Sequence, residues 1–281
     1  MGYPMAGHLA TANHDVHVYN RTPSRAQQWV STYTGAIHAT PADAANGADY
    51  VFTCVGADDD VRDVLLGNNG AISALKSGAV IIDHTTASVE LAHQIGDLCT
   101  TGGIDFIDAP ISGGQSGAEQ GTLSIMCGGD KNVFASAAKV MKSYAKTITL
   151  IGPTGSGQLT KMVNQILCAG AIQGAAEAIA FGRKAGLDMD KVVNAVKNGA
   201  AGSWYLQNRG DTMVADEFDF GFAVDWMHKD LNLVVSQSAN MDTNTPLADL
   251  TIQYLKQSQE AGDNRLDVTA IIRNYTKQDP S

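Results

Sequence analysis

Lys161, Asn164 and Gln165 stand at i, i+3 and i+4 of a stretch rich in Ala, Ile and Leu, so a helix there sets an amine and two amides on one face. The adjoining Met162, Val163, Ile166 and Leu167 predict apolar surroundings for that turn. Desolvation draws a lysine toward neutrality, the range in which it both donates and accepts protons near pH 7. A second group, Ser112-Gly113-Gly114, follows the strand-like residues 104–108. One hydroxyl and the amides of two residues without a Cβ make a concave seat for a carboxylate.

A third group is Asn20-Arg21-Thr22, which begins 18 positions beyond Gly2 and just after the strand-like residues 16–19. In a dinucleotide-binding βαβ unit a glycine turn opens a helix whose N-terminus holds the pyrophosphate, and a residue roughly 20 further on reads the adenosine ribose. An acid at that point accepts from the 2′-hydroxyl of NAD. Asn followed by Arg suits a 2′-phosphate, so the spacing predicts NADP in preference to NAD. The opening Met1-Gly2-Tyr3-Pro4-Met5-Ala6 reads as the tail of such a turn, with Gly2 as its last glycine. The strand and first two glycines are then expected upstream, as if the start were assigned about ten residues late. Val55 and Asp60 flank the loop after residues 50–55, at the carboxyl end of a strand, where open sheets bind ligands.

Elements that would position these groups alternate through the first half. Strand-like runs at 16–19, 50–55, 80–83, 104–108, 124–127 and 148–151 are separated by helical patterns at 4–12, 23–30, 60–65, 89–99 and 131–141. This alternation predicts α/β architecture, a Rossmann-like, mostly parallel, doubly wound sheet whose first strand is missing. A breaker-rich turn at 152–157 ends it. Helical patterns alone follow, at 158–186, 190–197, 204–212, 222–239, 246–261 and 268–276. The expected domains are 1–153, nucleotide-binding, and 154–281, all-helical.

With 19 Lys+Arg against 29 Asp+Glu the net charge is −10, which disfavours nucleic acid and polybasic membrane binding. No apolar run of about 18 to 20 residues and no basic, apolar leader is legible, so a cytoplasmic protein is expected. Cys54, Cys99, Cys127 and Cys168 form no CxxC pair and the seven histidines no ligand spacing, so buried free thiols and no metal site are expected. His84 reads as a structural or solvated strand-end residue.

Taken together, Gly2–Ala6, Asn20-Arg21-Thr22, Asp108-Ala109-Pro110-Ile111-Ser112-Gly113-Gly114 with Gly117-Ala118 and Gly121-Thr122-Leu123, Gly155-x-Gly157-x-x-x-Lys161-x-x-Asn164-Gln165, and Lys229-Asp230-Leu231 resemble the β-hydroxyacid dehydrogenase family. The resemblance implies hydride transfer between a nicotinamide and a small β-hydroxy acid or its semialdehyde. It implies Lys161 as general acid or base, Asn164 holding the substrate oxygen with Gln165 as second candidate, and Ser112-Gly113-Gly114 gripping the substrate carboxylate. Thr86 is similar to the family's Ser/Thr beside the nicotinamide ribose, and Lys229 to the residue reaching the nicotinamide end. A homodimer or homotetramer is implied too. Relatives of similar architecture reduce imines, and the missing strand suggests a non-catalytic ligand-binding or scaffold protein. Lys161 with Ser112-Gly113-Gly114 favours a carboxylate-bearing carbonyl substrate over an imine, and a start assigned late accounts for the missing strand more simply than loss of function.

Overall fold

The computed structural model describes residues 1–276. The chain divides into two compact units, Met1–Lys161 and Met162–Ser281. The first carries α1 (Gly2–Thr11), β1 (His17–Val18), α2 (Pro23–Val30), β2 (Ala36–Ile37), α3 (Pro41–Ala45), β3 (Tyr50–Thr53), α4 (Asp58–Leu66), β4 (Val80–Asp83), α5 (Val89–Thr101), β5 (Asp105–Asp108), β6 (Ile111–Ser112), α6 (Gly114–Glu119), β7 (Leu123–Gly129), α7 (Lys131–Met141) and β8 (Ala145–Gly152). Helix α8 (Ser156–Lys184) begins there and continues into the second unit, which adds α9 (Met189–Val196), α10 (Trp204–Ala215), α11 (Val224–Asn240), α12 (Pro246–Glu260) and α13 (Arg273–Thr276).

Local chemistry fixes the helix starts. Proline, whose ring suits the first helical turn, opens α2, α3 and α12. Ser88 accepts from the Leu91 amide ahead of α5, and Asp130 from the Asn132 and Val133 amides ahead of α7. Strand β4, Val-Ile-Ile-Asp, is buried at every position, as an inner parallel strand must be.

The sheet is mostly parallel, as the alternation of elements predicts, with antiparallel pairing confined to β7. β3, β4 and β5 pair in parallel, as do β7 and β8. β5 and β6, separated by Ala109 and Pro110 and running in one direction, both pair antiparallel with successive parts of β7. β1 and β2 form a separate two-stranded parallel sheet. Among the described residues no strand pairs with the second edge of β3, and its residues are accordingly more exposed than those of β4. The core on one face gathers Met5, Leu9, Ile82, Ile107, Leu123, Ile125 and Tyr144; on the other Val61, Leu65, Ile81, Leu91, Ile95 and Phe106.

In the second unit Ala169, Ile172, Ala176 and Ile179 of α8 are buried. By length and composition alone this 29-residue helix is long and apolar enough to cross a membrane, although its sequence is interrupted by polar residues. Its Gln158, Lys161, Gln165 and Gln173 are all buried. The expectation of four buried thiols holds for Cys99 and Cys127 only; Cys54 and Cys168 are half-buried. Burial pushes both the Cys99 and Cys127 thiols up to about 12.

Candidate active site

The start of α8 is fastened to the carboxyl ends of β4 and β5. Asp108, last residue of β5, accepts from the Gly155 amide at 2.7 Å and from the Gln158 amide at 2.9 Å, capping amides that the helix itself leaves unpaired. Gly157 makes that approach feasible: a Cβ there would lie 2.5 Å from the carbonyl oxygens of both Asp108 and Met126. Gln158 reaches β4's end with both halves of its amide, accepting from the Ala87 amide at 3.1 Å and donating to the Thr85 carbonyl at 2.8 Å. Half-buried Thr86 lies between those two contacts.

Three residues along from Gln158, Lys161 is 7% exposed and its ammonium donates to the Ile111 carbonyl at 2.8 Å. Ile111 directly precedes Ser112, so the amine and the Ser-Gly-Gly loop are neighbours. Gly113 (φ +128°) and Gly114 (φ +61°) both occupy the left-handed region, where a side chain would be strained. The loop amides therefore carry no Cβ cover. The apolar neighbours expected to bury Lys161 do so only in part: Met162 is buried, whereas Val163 and Leu167 are 58% and 70% exposed. They lie on other faces of the helix, and the contact that encloses the amine comes from β6.

Burial dominates the titration of the polar groups beneath. It raises Asp83, against hydrogen bonds from Thr53 (2.7 Å) and the Thr85 amide (3.0 Å). It lifts Asp108 to about 6 against the Gly155 and Gln158 amides. His84 is pushed down to about 4 by burial; its ring nitrogens meet the Ala109 carbonyl at 2.6 Å and the Tyr144 hydroxyl at 2.9 Å. It is a structural, neutral residue near pH 7.

Of the residues expected at the nucleotide, those of the first unit make the following contacts. Gly2, opening α1, faces the Cβ of Cys54 just past β3, where an added Cβ would sit at an ordinary 3.5 Å. The Val55 amide donates to the Thr85 hydroxyl at 3.1 Å, linking the ends of β3 and β4. Arg21 donates to Asp60 of α4 at 2.7 Å, linking the end of β1 to the helix after β3. Asn20 accepts from the Thr22 amide at 2.8 Å. Helix N-terminus, exposed guanidinium and carboxyl ends of parallel strands are the features an anionic dinucleotide needs, so these residues fit an NAD(P) cofactor.

The second unit holds a separate polar cluster. Asn164 donates to the Gln165 carbonyl oxygen at 2.7 Å, and Gln165 donates to buried Asp230 at 2.7 Å. The other Asp230 oxygen lies 3.1 Å from the Lys229 ammonium. Three residues that the sequence does not assign hold the candidates in place: Asp108, Gln158 and Asp230. Asp108 is an acid set among apolar neighbours, Asp230 falls within the Lys229-Asp230-Leu231 segment, and Gln158 lies i−3 from Lys161 on its face; those are the signals that point to them.

Residues 1–152 match the family model described as the NAD binding domain of 6-phosphogluconate dehydrogenase, and residues 155–275 the model described as NAD-binding of NADP-dependent 3-hydroxyisobutyrate dehydrogenase. With strand ends and a helix N-terminus arranged as above, the chain is of the NAD(P)-binding oxidoreductase class. An uncharacterized oxidoreductase of Shewanella frigidimarina is 47% identical over 277 residues, 99% of this chain and 95% of that one. The 2-hydroxy-3-oxopropionate reductase of Escherichia coli is 35% identical, covering 97% of this chain and 93% of its own. The crystal structure of 3-hydroxyisobutyrate dehydrogenase from Salmonella typhimurium superposes with a TM-score of 0.88 at 27% identity, covering 97% and 95%. The chain belongs to the β-hydroxyacid dehydrogenase family.

Proposed function

We propose that this chain interconverts a small β-hydroxy acid and its semialdehyde, of the 3-hydroxyisobutyrate or 2-hydroxy-3-oxopropionate type, with Lys161 exchanging the proton. One observation carries the reading: a buried amine donates to the carbonyl directly before Ser112. A nicotinamide, when bound, supplies or accepts the hydride. Lys161 gives its proton to the carbonyl oxygen in reduction and takes the hydroxyl proton in oxidation. Its charge stabilises the developing alkoxide in a site from which water is largely excluded. Ser112 and the amides of Gly113 and Gly114 hold the carboxylate, and Asn164, with Gln165 behind it, holds the reacting oxygen. Gly2, Asn20, Arg21, Thr22, Val55, Asp60 and Thr86 bind the nucleotide, and Lys229 reaches its nicotinamide end.

NADP is the cofactor we favour, because Arg21 follows Asn20 where an acid would select NAD. A homodimer or homotetramer is supported by Val163, Leu167 and Phe181, large apolar side chains that α8 presents to solvent. The test is oxidation of NADPH, and of NADH, with a panel of short carboxylate-bearing semialdehydes beside a panel of cyclic imines. Turnover of the semialdehydes is expected. Consumption of imines alone would move the chain to imine reduction, and no binding of either nucleotide would remove the enzyme reading.

A further inference from the structure

We propose that Asp60 is a specificity-determining residue that restrains Arg21 and narrows the chain's discrimination between 2′-phosphorylated and 2′-hydroxyl nucleotides. The inference rests on the reading of Asn20-Arg21-Thr22 as the adenosine end of the nucleotide site. Helix α4 opens with three acids, Asp58, Asp59 and Asp60, and each has its own partner. Asp58 accepts from the Ser88 amide and hydroxyl, Asp59 lies 3.5 Å from Arg62, and Asp60 accepts from Arg21 at 2.7 Å. Only Asp60 reaches across to the loop after β1.

The two partners differ in freedom. The Asp60 side chain is 29% exposed and the Arg21 side chain 78%. Asp60 also belongs to the first turn of a helix, where the dipole favours a carboxylate. The acid is therefore the anchored member, and the guanidinium is drawn to it.

A 2′-phosphate brings close to two negative charges and seeks the planar edge of a guanidinium. Asp60 already occupies one such N–H and sets a like charge beside the incoming phosphate. The Arg21–Asp60 pair is formally neutral, so the attraction that Arg21 alone would offer is largely offset. A ribose bearing only hydroxyls meets no such repulsion, and a carboxylate accepts hydrogen bonds from hydroxyls. Asp60 thus supplies, from α4, the acidic character that Asn20 lacks.

The test compares binding of 2′,5′-ADP, 5′-AMP, NADPH and NADH by calorimetry to the wild-type chain, Asp60→Asn and Asp60→Ser, with thermal unfolding as the folding check. Asp60→Asn is expected to tighten 2′,5′-ADP and NADPH about tenfold while weakening 5′-AMP and NADH about threefold, because these lose the carboxylate that accepts from their 2′-hydroxyl. Asp60→Ser serves the same end if Asn itself perturbs the helix start. The gain should shrink at 0.5 M salt, because screening removes a repulsion between exposed charges, whereas a merely structural role for Asp60 would shift all four ligands together and independently of salt. A selectivity ratio unchanged in both folded variants overturns the proposal while leaving the nucleotide reading intact. Failure of every form to bind any of the four overturns both.

Discussion

At the Lys161 end of the first unit, five buried or nearly buried hydrogen bonds, from Asp108, Gln158 and Lys161, tie the start of α8 to β4, β5 and β6. At the Arg21 end one ion pair with a largely exposed arginine joins the loop after β1 to α4. The two ends face different demands. On the proposed chemistry, a shift of the amine by about 1 Å would cost roughly 10²-fold in rate, and buried hydrogen bonds, strong and costly to break, meet that demand. Nucleotide choice is a difference between two affinities, and one exposed residue can shift it without disturbing a core.

If this contrast is right, the largest single effect belongs to Lys161. Lys161→Ala should reduce kcat by about 10³-fold or more while nucleotide affinity stays within a few-fold, since general acid-base groups contribute roughly 10² to 10⁴. Steady-state rates with titration of NADPH check this. Unchanged turnover would remove Lys161 from the chemistry and with it the contrast.

Support of the amine should be nearly as sensitive as the amine itself. Gly157→Ala brings a methyl to within 2.5 Å of two main-chain carbonyl oxygens and 2.7 Å of an Asp108 carboxylate oxygen, and backbone cannot swing aside as a side chain can. A loss of about 3 kcal/mol in urea unfolding is expected, with turnover falling in whatever fraction stays folded. Full stability in the variant would show that α8 is not held by close approach.

The buried end also carries a pH signature. Asp108 moves from 3.8 to about 6 on folding, so its contribution to stability is fully present below 3.8 and is lost as pH rises through about 6. His84 moves from 6.5 to about 4, so its contribution is present above 6.5 and is lost as pH falls through about 4. Each is worth roughly 3 kcal/mol at about 1.4 per unit, and between pH 4 and 6 the two slopes oppose each other. Asp83, also raised by burial, adds to the Asp108 side. His84→Gln should make stability fall more steeply than in the wild type as pH rises across this window, and Asp108→Asn should make it fall less steeply or rise, with Asp83 still opposing His84. Urea unfolding from pH 4.5 to 7 reads both. Curves parallel to the wild type would mean that these groups do not titrate as their burial requires.

Sequence legibility follows the same division. α2, β4 and α7 match their expected limits, because proline, an apolar run ended by Asp83 and an Asp cap mark them locally. The two-residue strand β2 and the short helices α3 and α6 are too brief to show a period, and α6 lies in a glycine-rich stretch that reads as loop. The antiparallel turn of β6 onto β7 depends on pairing between distant segments, which no local pattern encodes. Lys161 is visible through motif resemblance and its burial is expected and found, but not from the neighbours that predict it: Val163 and Leu167 point to solvent, and β6 supplies the enclosure. Asp108 and Gln158 acquire their roles only when α8 meets the ends of β4 and β5.

The smallest expected effect lies at the exposed end and sharpens the contrast most directly. Arg21→Ala should weaken NADPH about tenfold and NADH by no more than about twofold, a change of roughly 1.4 kcal/mol in discrimination. Part of that loss is repulsion, since Asp60 at 2.7 Å is left facing the phosphate without its partner. Combining Arg21→Ala with Asp60→Asn should therefore recover part of the NADPH affinity, and the non-additivity measures their coupling. Melting temperature should hardly change in either variant, because exposed ion pairs contribute about 0 to 1 kcal/mol. A large loss of stability from Arg21→Ala, or equal weakening of both nucleotides, would mean that this end is built like the other and that preference is set elsewhere.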